Sequence, residues 1–199
     1  MKVIARSEYQ SFCTTVSRFV IVCLVTAGLT AICARVSFHL PFTPVPITLQ
    51  VFAVLLSGLA LGSKLGAASQ MLYVAIGAAG LPVFADGKGT AAVLGPTGGY
   101  IVGFIAAAFV AGLISERLRE KATLGAGLGA LAGITIIYLF GTSWLAIWLS
   151  AVERQEAAIS TIKSAWLLGA FPFIVVDLLK AVIAGAIAAG GRRVLTQPY

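Results

Sequence analysis

Six stretches of this chain run free or almost free of charge, at about residues 19–34, 47–63, 65–83, 97–115, 122–150 and 169–191. Backbone inside a bilayer must satisfy its hydrogen bonds internally, as helices or as closed barrels. A crossing helix takes ~20 mostly apolar residues. Runs of this length therefore read as helices. Only 11% of the residues are charged and 59% are hydrophobic, where a soluble domain carries roughly a quarter charged. The 199 residues predict an all-α integral membrane protein: one compact bundle of six transmembrane helices as a single domain over 1–199.

The basic residues between the runs predict the orientation. With the N-terminus inside, Lys2, Arg6, Arg18, Lys64, Arg117, Arg119, Lys121, Arg192 and Arg193 fall on the cytoplasmic side. Arg35, Lys88, Arg154 and Lys163 fall outside. The positive-inside rule then places both termini in the cytoplasm. Trp144, Trp148 and Trp166 sit near the outer ends of the last two runs, where an aromatic belt is expected. The net charge of +7 follows from the inner-face bias and contact with lipid headgroups. No basic stripe interleaved with aromatics supports nucleic-acid binding. Cys13, Cys23 and Cys33 read as small buried hydrophobes rather than a redox or metal set.

Two outer connections are unlike ordinary short polar loops. They read LPFTPVPITLQ at 40–50 and GLPVFADGKGTAAVLGPTGGY at 80–100, semi-apolar and stiffened by proline. Non-helical backbone at membrane depth survives where it is buried in protein or lines a cavity, so these segments are candidate walls of a binding site. A third connection, 151–168, lies on the same face.

Asp177 and Lys180 are the ionisable pair deep in the last run, three residues apart on one helix face where they can pair. Such groups usually face a bundle interior or cavity, and their depth below the outer loops favours a ligand role over pure packing. Gln50 opens the second run and Tyr100 the fourth, each a candidate polar contact. Thr97 is the expected cap of the fourth run, leaving the amides of Gly98 and Gly99 for an anion. Tyr73 sits mid-run, where core packing and ligand contact are equally open. Lys88 is either solvated or an anion contact, and His39 is expected at the interface.

Small residues recur at four-residue spacing, as in Gly58, Gly62 and Gly66, Gly99 and Gly103, and Gly125, Gly129 and Gly133. This permits close helix approach within the bundle. Ala27 and Ala31 do the same on the first run, which could present them to a partner helix. The GKGT at 87–90 lacks the spacing of a phosphate-binding loop, and no hydrolase or metal-ligand motif appears. The chain reads as a binding protein rather than an enzyme.

The linked segments PFTPVPITLQ at 41–50, GLPVFA at 80–85, GPTGGY at 95–100 and DLLKA at 177–181 closely resemble the BioY family. Its members are the biotin-binding S components of energy-coupling factor (ECF) vitamin transporters. The resemblance runs over about residues 20 to 190. It departs from the usual glycine run at DGKGT, with Asp86 and Lys88. The resemblance implies capture of biotin near the outer face of the cytoplasmic membrane, with biotin as transported ligand and no cofactor. It assigns Asp177 to the ureido N–H groups, with Lys180 as counter-ion and further contact. Gln50 and Tyr100 become polar contacts and Phe84 a wall, while the amides near Thr97, or Lys88, meet the valerate carboxylate. It also implies two cytosolic ATPase subunits, and a transmembrane coupling subunit docking on Ala27 and Ala31.

Overall fold

The computed structural model describes the backbone of residues 2–153 and 158–196, and the side chains of 16–152 and 161–191. Lys2, Arg6, Cys13, Arg154, Arg192 and Arg193 lie outside the described side chains. The helices are α1 (Lys2–Arg35), α2 (Gln50–Leu61), α3 (Ser63–Ala78), α4 (Thr90–Leu94), α5 (Gly98–Arg117), α6 (Ala122–Glu153), α7 (Ala158–Gly169) and α8 (Ile174–Thr196). A two-residue antiparallel ladder, β1 (Ser37–Phe38) against β2 (Ile47–Thr48), closes a hairpin between α1 and α2.

Among the described residues, four segments are long and apolar enough to cross a membrane: Val16–Arg35, Gly98–Arg117, Arg119–Val152 and Ile174–Gly191. At about 1.5 Å per residue, α2 and α3 are shorter than the hydrocarbon core. α2 is nevertheless the centre of the bundle. Ala53, Val54, Leu55 and Leu59 are fully buried, and the helix packs on α1, α3, α5, α6 and α8. A helix that is apolar almost all round is stable away from water, and here its neighbours enclose it.

Glycine sets how closely the other helices approach. A Cβ on Gly66 of α3 would lie 2.7 Å from the Cα of Gly58 on α2, and one on Gly129 of α6 only 2.6 Å from the carbonyl oxygen of Ala111 on α5. The small-residue spacing thus works inside the molecule. At the tight α2–α3 corner Gly62 adopts φ 87°. Glu116, near the end of α5, secures that corner by accepting from the amide and the hydroxyl of Ser63, both at 2.8 Å.

Several boundaries differ from the hydropathy reading. α3 ends at Ala78 rather than near 83, because Gly80 takes φ 100° and its N–H bonds to Gly77 while that of Leu81 bonds to Ile76. This paired pattern is a glycine-dependent helix stop. α8 begins at Ile174 rather than 169, after a turn containing Pro172. The connection 151–168 is helical from Ala158 onward, with Thr161, Ala165 and Gly169 along one buried edge.

The expectation that Ala27 faces a partner is corrected, whereas Ala31 keeps part of its surface exposed. Ala27 is 3% exposed and belongs to the core, and Ala31 is half-buried against it. α1 turns Cys23, Ala27, Thr30 and Ala34 inward and leaves Ile21, Val25, Gly28 and Ile32 outside. A fully buried cluster holds it there: the Gln70 amide donates to Thr30 and to Ser57, each at 3.1 Å.

Glycines on the two kinds of surface should respond oppositely to substitution. Gly58→Val drives a side chain into the backbone of Ala108, and overpacking of this kind destabilises by about 1–3 kcal/mol. At Gly28 nothing lies within 4 Å of an added Cβ, so Gly28→Ala should raise stability by up to about 1 kcal/mol. Thermal unfolding in one detergent checks both, with a lower midpoint for the first and an unchanged or higher one for the second.

Candidate functional site

The cavity opens at the end of the bundle where the β1–β2 hairpin, the 79–97 segment and the last turn of α7 converge. The cavity and the open solvent at its mouth together comprise about 830 Å³ of non-atom space. Its walls are Val51 of α2, Ile101 and Phe104 of α5, Ile137 of α6, and Phe173 and Phe84 from the loops. Pro44 and Pro46 line the mouth. Rigid apolar walls with a few convergent polar groups are the usual make-up of a small-molecule site.

The polar groups are built on different helices. Asp177 and Lys180, one turn apart on α8, are both about 5% exposed and pair at 2.7 Å. Lys180 also donates to the carbonyl of Thr48 at 2.6 Å. The other carboxylate oxygen of Asp177 accepts from the hydroxyl of Tyr138 on α6 at 2.7 Å. A carboxylate has about four acceptor positions and an ammonium three donors. The arrangement therefore leaves acceptor capacity on Asp177 and one donor on Lys180 for a ligand in the cavity.

Gln50, at the start of α2, is oriented from both ends. Its carbonyl accepts from Thr48 at 3.0 Å, and its amide donates to Tyr73 at 2.7 Å. Tyr73 in turn donates to the carbonyl of Val83 at 3.1 Å and meets Phe84 edge-on, with centroids 5.2 Å apart. Tyr73 does not itself line the cavity; it stands behind the two residues that do. Tyr100 lines the cavity and donates to Gly169 at 2.8 Å, joining α5 to the end of α7.

Thr97 precedes α5 and lines the cavity but makes no cap bond; its hydroxyl donates to Ala92 at 3.1 Å. The amide of Gly98 bonds to Gly95. The expectation of a Thr97 cap with the amides of Gly98 and Gly99 left for an anion is corrected for Thr97 and Gly98, since Ala92 on α4 and Gly95 just after it are nearer acceptors. Lys88 lies at the cavity rim and pairs with Asp86 at 3.3 Å. His39, which is exposed, reaches the same carboxylate oxygen at 3.0 Å. Burial of Asp86 raises its pKa, but the bond from Lys88 and the charge of His39 outweigh this and hold it below the ordinary carboxylate value.

Tyr138, Thr48 and Thr43 are the contributors that sequence reading missed. Tyr138 had a usable signal, a lone phenol within an otherwise apolar stretch of α6. Thr48 contributes its backbone carbonyl, for which no side-chain pattern exists. Thr43 donates to Leu168 of α7 at 2.7 Å, a contact 125 residues apart in sequence.

A buried ion pair beneath a loop-roofed cavity, in a bundle of several apolar helices, is the arrangement of a multi-pass membrane protein with room for a small molecule at one end. The BioY family model matches residues 6–197, and the chain belongs to that family. It is 45% identical over 150 residues to the biotin transporter BioY of Thermotoga maritima, covering 75% of this chain and 82% of that one. It is 44% identical over 150 residues to the biotin transporter BioY of Rhodobacter capsulatus, covering 72% and 77%. Among solved structures, the S-component for biotin from an ECF-type ABC transporter superposes with a TM-score of 0.72 at 25% identity, covering 93% of this chain and 94% of that one.

The ion pair should reveal itself in stability without any ligand. Lys180→Met strands a buried carboxylate, and removing one partner of a buried pair costs about 3–5 kcal/mol. Adding Asp177→Asn to the same chain should recover much of that loss. Unfolding midpoints of the two variants in detergent check it: equal loss in both would mean that stranded charge is not the cause.

Proposed function

We propose that the chain captures biotin at the outer end of the bundle and serves as the substrate-binding S component of an ECF transporter. The buried Asp177–Lys180 pair on the floor of the cavity is the observation that carries this reading. A ureido group offers two N–H donors and one carbonyl acceptor. Asp177 has acceptor capacity for the donors, and Lys180 has a donor for the carbonyl. Phe84, Phe173 and Phe104 supply apolar wall for the thiophane ring. Gln50 and Tyr100 border the same space, their orientation set by bonds to Tyr73 and Gly169. The valerate then runs toward the mouth, where Lys88 stands.

In this reading α2 and α3 complete six crossings with α1, α5, α6 and α8, and their short lengths are made up by the hairpin and the 79–89 segment. The basic residues Lys64, Arg117, Arg119 and Lys121 at the end opposite the cavity support a cytoplasmic position for that end. Both termini are then cytoplasmic, and the protein lies in the cytoplasmic membrane. A transmembrane coupling subunit and two cytosolic ATPase subunits supply ATP hydrolysis, so this chain binds and delivers without catalysis of its own. With Ala27 buried, a docking partner meets the face of α1 around Gly28 and Ile32.

Equilibrium binding to the purified chain tests the reading. Asp177→Asn removes a charged acceptor, and hydrogen bonds to charged groups contribute about 1.5–3 kcal/mol, so biotin affinity should fall about tenfold or more. Full affinity in a well-folded variant would make Asp177 a packing residue. Sidedness has its own test in oriented vesicles. A cysteine at Phe42, on the exposed hairpin, should react with an impermeant thiol reagent from outside and be protected by biotin. Reaction only from inside would reverse the proposed orientation.

A further inference from the structure

Asp86 is the one non-glycine residue with positive φ among those described, at φ 61°. Asparagine and aspartate tolerate that backbone region better than other side chains with a Cβ. From this position its carboxylate gathers three donors: Ser37 at 3.3 Å on one oxygen, and His39 at 3.0 Å and Lys88 at 3.3 Å on the other. Arg35 adds a bond from the end of α1 to the carbonyl of Pro82, and its guanidinium lies beside Gly87. Ser37 and His39 belong to the hairpin, whereas Asp86 and Lys88 belong to the segment on the other side of the cavity mouth. Asp86 and Lys88 both line that cavity.

We propose that Asp86 is a positioning residue that latches the hairpin across the cavity mouth and thereby sets how slowly a bound ligand leaves. The inference rests on the biotin reading for its ligand and on the geometry alone for the latch. Its path inward is continuous. Ser37 pairs with Thr48 across the two-residue ladder, the Thr48 carbonyl is held by Lys180, and Lys180 is paired with Asp177. The far side of the hairpin is fixed independently, by Thr43 on Leu168 of α7. Asp86 thus closes the one side of the strap that α7 does not reach. Motions of such loops commonly control release from a binding site.

The latch is electrostatic. A carboxylate is acceptor-only and can take all three donors at once, whereas an amide must turn a donor toward one of them. The groups bonded to Asp86 are Ser37, His39 and Lys88, with Arg35 turned to Pro82 beside Gly87, and the lowered pKa of Asp86 reflects the bond from Lys88 and the charge of His39 outweighing burial. The Asp86 contribution to the latch is accordingly complete above the ordinary carboxylate value of about 3.9, and is lost as pH falls through the lowered value.

Two measurements on the full-length chain in nanodiscs test the proposal. Asp86→Asn keeps the backbone conformation and the side-chain size while removing the charge; Asp86→Gly keeps the backbone and removes the side chain. Single exposed pairs contribute little, but three on one group should together change the biotin dissociation rate by on the order of tenfold. Association should change much less. Without biotin, hydrogen exchange at the amides of 37–48 and 82–90 should quicken in both variants, while α5 and α6 stay unchanged. Unaltered dissociation and exchange in both variants overturns the latch. An effect confined to Asp86→Gly overturns its electrostatic basis. If the unaltered chain binds no biotin, the ligand reading fails, and the exchange comparison still decides whether Asp86 holds the hairpin.

Discussion

The pairing of Asp177 with Lys180 is the interaction on which the rest of the arrangement depends. Each side chain is about 5% exposed, and a lone charge at that depth costs several kcal/mol after relaxation. The pair is stable because both members have further partners, the phenol of Tyr138 and the carbonyl of Thr48. Those partners lie on α6 and on the hairpin, so satisfying the pair fixes α8 against α6 and draws the hairpin over the cavity. Buried ion pairs are weak sources of stability compared with apolar replacements. What this pair does leave is acceptor and donor capacity facing the cavity.

The second determinant is the central helix. α2 can be short because neighbours enclose it, and its burial places Gln50 at the start of a rigid element rather than on a loop. Gln50 is then held by Thr48 and Tyr73, and Tyr73 reaches the segment that carries Phe84. The hydrogen bonds thus run from Val83 through Tyr73 and Gln50 to Thr48, and from its carbonyl to the ion pair. A ligand on the floor and the loops at the mouth share this network, which gives a physical route for coupling occupancy to closure. It requires no movement of the helices themselves.

The helical membrane architecture and several cavity residues were legible in sequence because their signals are local. Charge-free runs read as helices, proline-rich connections marked the mouth, and the spacing of Asp177 and Lys180 predicted one face. What escaped were features set by tertiary contact. Hydropathy cannot see a glycine-dependent helix stop, so the third run was read past Ala78. Ala27 and Ala31 share one spacing, but which way α1 turns them depends on Gln70, Thr30 and Ser57 meeting inside the bundle. The Thr48 contribution is a backbone carbonyl that any residue could supply. Thr97 looked like a cap, yet the nearby carbonyl of Ala92 on α4 takes its hydroxyl.

The central claim is that the buried ion pair is the ligand-reading element of the cavity. A structure of the purified chain determined with biotin tests it most directly. The account predicts both ureido nitrogens within reach of the Asp177 carboxylate, at about 2.7–3.2 Å, with Lys180 still bonded to Thr48 and the valerate directed toward Lys88. Biotin bound elsewhere, or seated in the cavity with no contact to Asp177, would contradict it.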